Sequence, residues 1–328
     1  MSIKRITLAK DLEICRILNG MWQVAGGHGQ IDKSSAITDM IEYHNSGFTT
    51  WDLADIYGSA ESLIGEFREK IDKTQSQALT KFVPNPGPMS NSIVTYYIEQ
   101  SLKKMNTDCI DLLQFHWWDY NDSRYLDALH HLSKLQNEQR IRHLGLTNFD
   151  TERVKTMIES GFQIVSNQVQ FSILDQRPEK LMIPFFAKNE IKILTYGTLL
   201  GGFFSEKYLG LDEPHRGELT TSSLQKYKNM IDVWGGWELF QELLYSMKEI
   251  AKKHQCSIAN VATRFVLDKP QVAGVIVGAR LGIANHRNDN AKVFDVKLDK
   301  EDISLINSIT AKSNDLFEAI GDCGDEYR

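Results

Sequence analysis

The sequence predicts an α/β fold, a (β/α)8 or TIM barrel, from three observations. First, short apolar segments with strand character alternate with amphipathic helical segments, and this unit recurs eight times. Second, most strand segments are apolar at nearly every position, as strands buried on both faces of a parallel sheet are. Third, 328 residues suit one barrel of this kind. A doubly wound sheet is the alternative, but the early G-x-G-x-x-G that usually accompanies it is absent.

Each strand segment is followed by a helical segment before the next strand begins. The strand segments are 16–21, 48–52, 77–82, 109–117, 141–147, 164–170, 191–197 and 272–278. The main helical segments are 34–47, 61–71, 92–105, 125–139, 150–161, 178–189, 237–254 and 257–269. Two local signals support these bounds. Gly47 is a stop signal for the helix at 34–47, and Asp150 is a candidate N-cap for the helix at 150–161.

Further segments complete a single domain that spans residues 1–328. Residues 6–15 predict an N-terminal β-hairpin ahead of the barrel, and the polar, Gly-rich stretch at about 201–236 predicts a long loop. Extra C-terminal helices are expected near 284–294 and 300–312. A polar tail at about 313–328 ends the chain.

Charge and cysteine content exclude several classes of function. The 37 Lys and Arg residues are scattered among 43 Asp and Glu, for a net charge of −6, so neither nucleic acid nor an anionic membrane is an expected partner. The four cysteines form no C-x-x-C pair and predict free thiols in a reducing compartment. No apolar run approaches ~18 residues and no signal peptide is recognisable, so a cytoplasmic protein without a membrane span is expected.

Polar residues follow the apolar strands at their C-terminal ends, where (β/α)8 barrels carry their chemistry. They are Asp52, Tyr57, Lys81, His116, Thr147, Asn148, Gln168 and Tyr196. Each has an ordinary explanation when taken alone, such as a turn-forming Asp, a hydrogen-bonded structural His or a surface Lys. Their occurrence at the ends of consecutive strands predicts a shared site in one mouth.

An ordered series of motifs resembles the aldo-keto reductase family. The motifs are DLADIYG, LTKF, LLQFHWWD, LGLTNF, NQVQFS, YGTLLGGFFSEKY and VIVGAR, with DN after the last. Each motif is short and weak alone, whereas the ordered set from about Leu18 to Asn290 is specific. The resemblance implies a nicotinamide-dependent oxidoreductase that acts on a small carbonyl substrate.

By this resemblance the catalytic residues are Asp52, Tyr57, Lys81 and His116. Hydride addition to a carbonyl leaves an alkoxide that needs a proton, and a Tyr hydroxyl with an ordinary pKa of about 10 supplies it better beside an ammonium. Tyr57 is therefore the expected general acid, Lys81 its tuning cation held by Asp52, and His116 the group that positions the carbonyl oxygen. Asp55 has no role in the family and is expected to be a cap or a rim salt-bridge partner.

The resemblance also implies cofactor contacts. Thr147, Asn148 and Gln168 would bind the nicotinamide amide, Tyr196 would stack on its ring, and small residues after strand seven would approach the pyrophosphate. Lys207 is a candidate phosphate cation. The full expected set is Met21, Trp22, Asp52, Thr147, Asn148, Gln168, Tyr196, Gly197, Leu199, Gly201, Gly202, Lys207, Gly278, Arg280, His286, Asp289 and Asn290. No metal site is expected.

The adenosine end of the site departs from the family pattern. The spacing from Gly278 to Asn290 is about two residues longer than usual, and His286 stands where Arg or Gln often contacts the ribose phosphate. Arg280 and Arg287 are the candidate ligands of a 2′-phosphate, since guanidinium forks suit phosphate. NADP is therefore the expected cofactor, with NAD as the alternative.

Aromatic residues cluster in the predicted mouth loops. The expected substrate pocket consists of Trp22, Tyr57, Phe82, His116 and Trp117. The aromatic and imidazole residues in or near the mouth loops are Trp22, His28, Phe82, Trp117, Trp118, Trp234 and Trp237. About half of this set are expected only to pack the barrel rim. The pocket would take an aldehyde or ketone.

Two functions of different class remain open at this point. The first is an active carbonyl reductase, and the second is a cofactor-binding regulatory or scaffold subunit with slow turnover. The complete set of four catalytic residues favours the reductase. The sequence alone names neither the physiological substrate, the direction of reaction nor the oligomeric state.

Overall fold

The structure, a computed structural model, describes residues 3–26 and 31–324. Eight parallel strands close into a barrel in which each strand pairs with its neighbours in chain order and the last pairs with the first. A separate two-stranded antiparallel sheet precedes them. The predicted (β/α)8 barrel with an N-terminal hairpin is confirmed, and closure of the sheet excludes the doubly wound alternative.

The bounds of the elements lie close to the predicted ones. The hairpin is β1 (Arg5–Ala9) and β2 (Leu12–Cys15). The barrel strands are β3 (Ile17–Gly20), β4 (Thr50–Asp52), β5 (Gln77–Phe82), β6 (Ile110–His116), β7 (Ile141–Thr147), β8 (Ile164–Gln170), β9 (Lys192–Tyr196) and β10 (Val272–Gly278). The helices are α1 (Lys33–Asn45), α2 (Ala60–Arg68), α3 (Asn91–Lys104), α4 (Tyr125–Asn137), α5 (Thr151–Glu159), α6 (Met182–Asn189), α7 (Ser222–Trp234), α8 (Gly236–Lys253), α9 (Ile258–Leu267), α10 (Arg287–Lys292), α11 (Lys300–Thr310) and α12 (Leu316–Ile320).

Alternation along each strand separates two apolar cores. Successive side chains of a strand point to opposite faces. In β6, Leu113 and Phe115 pack in the larger core between barrel and helices, whereas Leu112 packs in the smaller core inside the barrel. Gln114 and His116 share the face of Leu112 and therefore point into the barrel. The same alternation decides which strand-end residues can reach the mouth.

The hairpin closes the end of the barrel opposite the mouth. Leu8, Leu12 and Ile14 of the hairpin pack with apolar side chains from inside the barrel, which are Leu18, Leu79, Leu112, Leu194 and Ala273. This plug keeps water from that end of the barrel. The C-terminal ends of the strands are left as the open end, where the polar residues lie.

Two predicted loop segments contain helices. Within 201–236, α7 is capped by Thr221, whose side chain accepts the Leu224 N–H. Its buried residues, which include Leu224, Tyr227, Ile231 and Trp234, recur at helical spacing. Within the tail at 313–328, α12 is capped by Asp315, and residues 325–328 lie outside the described residues. The two extra helices expected before the tail are present as α10 and α11.

Within the part of the chain that the structure describes, every helix is too short or too polar to traverse a lipid bilayer.

Candidate active site

A buried ion pair lies at the C-terminal ends of β4 and β5. Lys81 Nζ donates to Asp52 Oδ2 over 2.7 Å and to the Leu53 carbonyl over 2.8 Å. Asp52 is only 3% exposed and Lys81 only 2%. Burial lowers the pKa of Lys81, and the neighbouring Asp52 carboxylate opposes that shift. Asp52 therefore favours the charged form of a buried lysine.

Tyr57 lies in the turn between β4 and α2, against this ion pair. The turn stays attached to β5 because the Asp55 N–H donates to the Lys81 carbonyl over 3.2 Å. Lys81 Nζ lies 4.8 Å from the centre of the Tyr57 ring. The Trp22 ring contacts the Tyr57 ring edge to face, with centroids 4.9 Å apart. The structure thus brings Asp52, Lys81 and Tyr57 together, as the sequence predicts.

His116 ends β6 on the interior face of the barrel. Gln114, two residues earlier, is in register with Lys81 of the neighbouring strand, so His116 lies one step nearer the mouth on that face. The Trp118 ring contacts the imidazole edge to face, with centroids 4.5 Å apart. All four predicted catalytic residues therefore belong to one end of the barrel.

Two buried amides bind the other oxygen of Asp52. Gln114 Nε2 donates to Asp52 Oδ1 over 3.0 Å, and Gln168 Nε2 donates to the same oxygen over 2.7 Å. Gln168 Nε2 also donates to Gln114 Oε1 over 2.7 Å. The sequence reasoning missed Gln114, although a polar residue two positions before His116 in an apolar strand is the signal that could have identified it.

The residues expected at the nicotinamide lie at the ends of β7, β8 and β9. Thr147 Oγ1 is buried and has no hydrogen-bond partner within the described ranges 3–26 and 31–324. Asn148 adopts a left-handed backbone conformation with φ of 59°, and its Oδ1 accepts the Tyr196 hydroxyl over 2.8 Å. Gln168 is committed to Asp52 through its NH2 group, which leaves its carbonyl oxygen to accept from a ligand.

The segment after β9 offers open backbone next to these residues. Gly202 has φ of +109°, and no heavy atom lies within 4 Å of the position that a Cβ would take. Gly197 has φ of +74°, and a Cβ there would come within 2.5 Å of the Tyr227 hydroxyl. Leu199 is half-buried. Lys207 is exposed, with Nζ 5.0 Å from the Tyr208 ring centre. Gly201 also has positive φ.

The segment after β10 separates the two candidate phosphate ligands. Arg280 and His286 are exposed. The Arg287 guanidinium instead pairs with Glu42 of α1 and lies 5.2 Å from the Tyr43 ring centre. The Arg287 side chain is therefore already committed to α1, whereas Arg280 is exposed.

The other residues of this segment have partners from neighbouring elements. Asp289 Oδ2 accepts the Ser257 hydroxyl over 2.8 Å, and the Asp289 carbonyl accepts the Asn260 amide over 2.9 Å. Asn290 is half-buried. Gly278 faces the Gln23 side chain, and a Cβ there would meet the amide end of that side chain.

The structure corrects the expected substrate pocket. Phe82 and Trp117 are each 1% exposed and belong to the core between barrel and helices. They follow Lys81 and His116 by one position, so strand alternation turns them outward. Trp118, which is 40% exposed, is the aromatic residue that remains at the mouth beside His116.

The remaining mouth aromatics divide between exposed and buried. Trp22 is 43% exposed and keeps its place at the mouth. Trp234 and Trp237 are buried, and the Trp237 indole donates to the Leu211 carbonyl over 2.9 Å. Met21 is fully buried, and its backbone N–H donates to the Asp52 carbonyl over 2.9 Å. His28 lies outside the described residues.

Asp55 is a backbone acceptor with one unsatisfied oxygen. Its Oδ2 accepts the Val83 N–H over 3.1 Å, while its buried Oδ1 has no hydrogen-bond partner in the part of the chain that the structure describes. Among the described residues Asp55 belongs to no ion pair. Of its two expected roles, it therefore resembles a cap that accepts a backbone N–H and not a partner in a salt bridge at the rim. Burial raises the pKa of Asp55 to about 6, with the Val83 hydrogen bond opposing and the charge of Glu61 adding to the rise.

We expect Asp55→Asn to stabilise the protein at neutral pH. A carboxyl whose folded-state pKa is raised binds its proton more tightly when folded, so the free energy of unfolding falls as pH rises from about 4 to about 6. The asparagine keeps an acceptor for Val83 but no charge. The variant should therefore gain up to about 3 kcal/mol over the wild type at pH 7, and nothing near pH 4.

Denaturant unfolding at both pH values measures this difference. Asp119→Asn is the matched control, because Asp119 also accepts a backbone N–H but is exposed. A gain that is equal at both pH values, or equal to that of the control, would contradict the assignment of a buried, titrating Asp55.

The residues at the mouth fit a nicotinamide dinucleotide. Buried amide and hydroxyl groups, among them the unpartnered Thr147 Oγ1, suit the polar edge of the nicotinamide. Tyr196 provides an aromatic face, Gly202 open backbone, and Lys207 and Arg280 exposed cations. Among the described residues no cluster of three or more His, Cys, Asp or Glu side chains could hold a metal ion.

Comparison with known proteins extends these observations. A family model described as "Aldo/keto reductase family" matches residues 16–311. Flagellar radial spoke protein 5 of Chlamydomonas reinhardtii is 27% identical over 257 residues, which cover 66% of this chain and 49% of that protein. This chain thus spans about half the length of that relative.

Two further similar proteins match over almost their whole length. The NADH-specific methylglyoxal reductase of Escherichia coli (strain K12) is 22% identical over 93% of this chain and 97% of that protein. The solved structure of a glycerol dehydrogenase from Gluconobacter oxydans has a TM-score of 0.78 at 22% identity and covers 95% of both chains. The structural likeness shows a shared fold.

Proposed function

Because this chain belongs to the aldo/keto reductase family, we propose that it reduces an aldehyde or ketone to an alcohol, or catalyses the reverse, with NADPH and with Tyr57 as proton donor. The observation that carries the proposal is the buried Asp52–Lys81 pair, with the Lys81 ammonium 4.8 Å from the Tyr57 ring centre. An ion pair that only stabilises the fold does not require a tyrosine beside it at the open end of the barrel. A tyrosine that donates a proton is helped by a neighbouring ammonium, as Tyr57 is placed beside Lys81.

The roles of the four residues follow from their contacts. A bound reduced nicotinamide supplies the hydride. Tyr57 gives a proton to the oxygen of the substrate, and the nearby Lys81 ammonium favours the phenolate that remains. Asp52 keeps Lys81 charged and fixes its position through the 2.7 Å bond. His116 binds the substrate oxygen and orients the carbonyl. In the oxidative direction Tyr57 accepts the proton.

The remaining mouth residues hold the two ligands. Thr147, Asn148 and Gln168 bind the nicotinamide amide, Tyr196 packs on its ring, and Gly201 and Gly202 leave space for the pyrophosphate. Exposed indole rings of Trp22 and Trp118 flank Tyr57 and His116, which favours an apolar or aromatic carbonyl substrate. Turnover of aliphatic and aromatic aldehydes and ketones, measured with NADPH and with NADH, tests the proposal. Failure with the whole panel would contradict it.

We expect NADPH to bind at least tenfold more tightly than NADH. Arg280 is exposed after β10, and among the described residues it belongs to no ion pair. A charge-assisted bond to a 2′-phosphate is worth about 1.5–3 kcal/mol, which is roughly tenfold or more in affinity. Arg280→Ala should therefore weaken the binding of NADPH but not of NADH, and so reduce the difference between the two affinities. Fluorescence titration with both cofactors measures it.

Arg287→Ala is the matched control for this titration. Its guanidinium pairs with Glu42, so its loss should leave the ratio of the two affinities unchanged. Equal affinities in the wild type, or an Arg280→Ala variant that binds both cofactors equally more weakly, would show that Arg280 does not recognise the 2′-phosphate.

A further inference from the structure

Gln114 forms a closed hydrogen-bonded triangle with Asp52 and Gln168. Its Nε2 donates to Asp52 Oδ1 over 3.0 Å, and its Oε1 accepts from Gln168 Nε2 over 2.7 Å. The third side is the 2.7 Å bond from Gln168 Nε2 to Asp52 Oδ1. The three side chains come from β4, β6 and β8, and Gln114 itself is completely buried. The triangle therefore connects strands that have no shared backbone ladder.

The chemistry of the triangle leaves each amide one orientation. An ionised carboxylate can only accept, so both glutamines must turn their NH2 groups toward Asp52. Gln114 then has to present its carbonyl to Gln168, which matches the second proton of the Gln168 NH2 group. With both protons used, Gln168 can interact with a ligand only as an acceptor, through Oε1.

We propose that Gln114 is a positioning residue that aims the Gln168 carbonyl at the amide group of the bound cofactor. The inference rests on the proposed function, because it needs a nicotinamide amide as the donor that Gln168 accepts from. Gln114 does not touch the cofactor in this account. It acts by binding the Gln168 NH2 group, and it ties the residue that holds the cofactor to the carboxylate that holds Lys81.

The expected consequence of losing Gln114 is weaker cofactor binding. In Gln114→Leu the side chain keeps a similar volume but loses both bonds, so Gln168 retains only Asp52 and its carbonyl is free to turn. We expect the dissociation constant of NADPH to rise about tenfold, the scale of one lost hydrogen bond. Fluorescence titration measures this directly and does not depend on turnover.

A second variant separates positioning from mere support of the fold. In Gln114→Glu the introduced carboxyl, when neutral, can donate to Asp52 and accept from Gln168 as the native amide does. When ionised it can donate nothing and repels Asp52. A carboxyl beside another carboxylate titrates above its ordinary pKa, although Lys81 on the far side of Asp52 offsets part of that rise. The affinity of Gln114→Glu for NADPH should therefore approach the wild-type value at about pH 5 and be about tenfold lower at about pH 8.

Gln170→Leu is the matched control, because it makes the same substitution in a completely buried glutamine. Gln170 Nε2 binds the carboxylate of Asp175, which is paired with Arg177 instead of Lys81. It should reduce thermal stability to a similar degree without raising the dissociation constant of NADPH. The control thus separates the general effect of losing a buried glutamine from the specific effect of losing Gln114 beside Gln168.

Three outcomes decide the matter. Weakened binding in Gln114→Leu together with pH-dependent rescue in Gln114→Glu supports the proposal. Wild-type affinity in Gln114→Leu, or a Gln114→Glu variant that follows the pH dependence of the wild type, overturns it. If the wild type binds neither NADPH nor NADH, the proposed function itself fails, and Gln114 has nothing to position.

Discussion

Tyr57→Phe should lower kcat for carbonyl reduction by roughly 10²-fold or more and leave cofactor affinity nearly unchanged, since removal of a general acid has effects of this size. The phenylalanine ring preserves the contact with Trp22 and the space beside Lys81, so only the hydroxyl is lost. Steady-state kinetics on the best aldehyde of a panel, with NADPH titration alongside, measures both quantities.

The matched control for this variant removes a hydroxyl elsewhere. Tyr125→Phe changes a buried tyrosine of α4, and it should leave kcat within a few-fold of the wild type. If Tyr57→Phe retained near-normal kcat, Tyr57 would not be the proton donor. If it lost cofactor binding as well, its main role would be in shaping the cofactor site.

Lys81→Met should also abolish reduction. If any alcohol oxidation remains, the pH at which its rate rises should be higher than in the wild type. The ammonium favours the phenolate of Tyr57, so its removal makes the phenol harder to ionise, and a reaction that needs the phenolate then requires a higher pH. The pH profile of alcohol oxidation measures the shift. A measurably active variant with an unchanged profile would contradict the pairing of Lys81 with Tyr57.

Stability needs a separate control in this experiment. Removing Lys81 leaves Asp52 buried without its counter-ion, and breaking a buried pair costs about 3–5 kcal/mol. The double variant Lys81→Met/Asp52→Leu removes both charges and should unfold at a higher denaturant concentration than the single variant. If the double variant is equally inactive although it unfolds at a higher denaturant concentration, unfolding does not explain the lost activity.

The fold could be predicted because its signal is repeated. Eight apolar strands separated by helical periodicity leave few alternatives, and the polar residues at the strand ends identify one mouth. The pairing of Asp52 with Lys81 was implied by the family resemblance, and it agrees with their places at the mouth ends of neighbouring strands. The hairpin before the barrel was likewise readable from short alternating segments.

The errors have equally physical causes. Proximity to a strand end suggested Phe82 and Trp117 for the pocket, but alternation along the strand places them on the helix side. Helix α7 was hidden because glycines flank it on both sides, although apolar residues recur along it at helical spacing. The same alternation would have selected Gln114, which shares the interior face with His116.

Other features could not be read from one sequence. The pairing of Arg287 with Glu42 depends on how α10 packs against α1, which are far apart in the chain. The commitment of the Gln168 amide to Asp52 depends on three strands meeting at one point. Both change the expected cofactor contacts without changing any motif.

The most direct test of the central claim is a single-turnover reaction with NADPH that carries deuterium at both C4 positions, followed by mass spectrometry of the alcohol. A reductase with this site should place one deuterium on the carbinol carbon with the wild type, and at least roughly 10²-fold more slowly with Tyr57→Phe. A wild-type protein that binds NADPH but forms no labelled alcohol from any aldehyde or ketone would contradict the account and favour a regulatory or scaffold role.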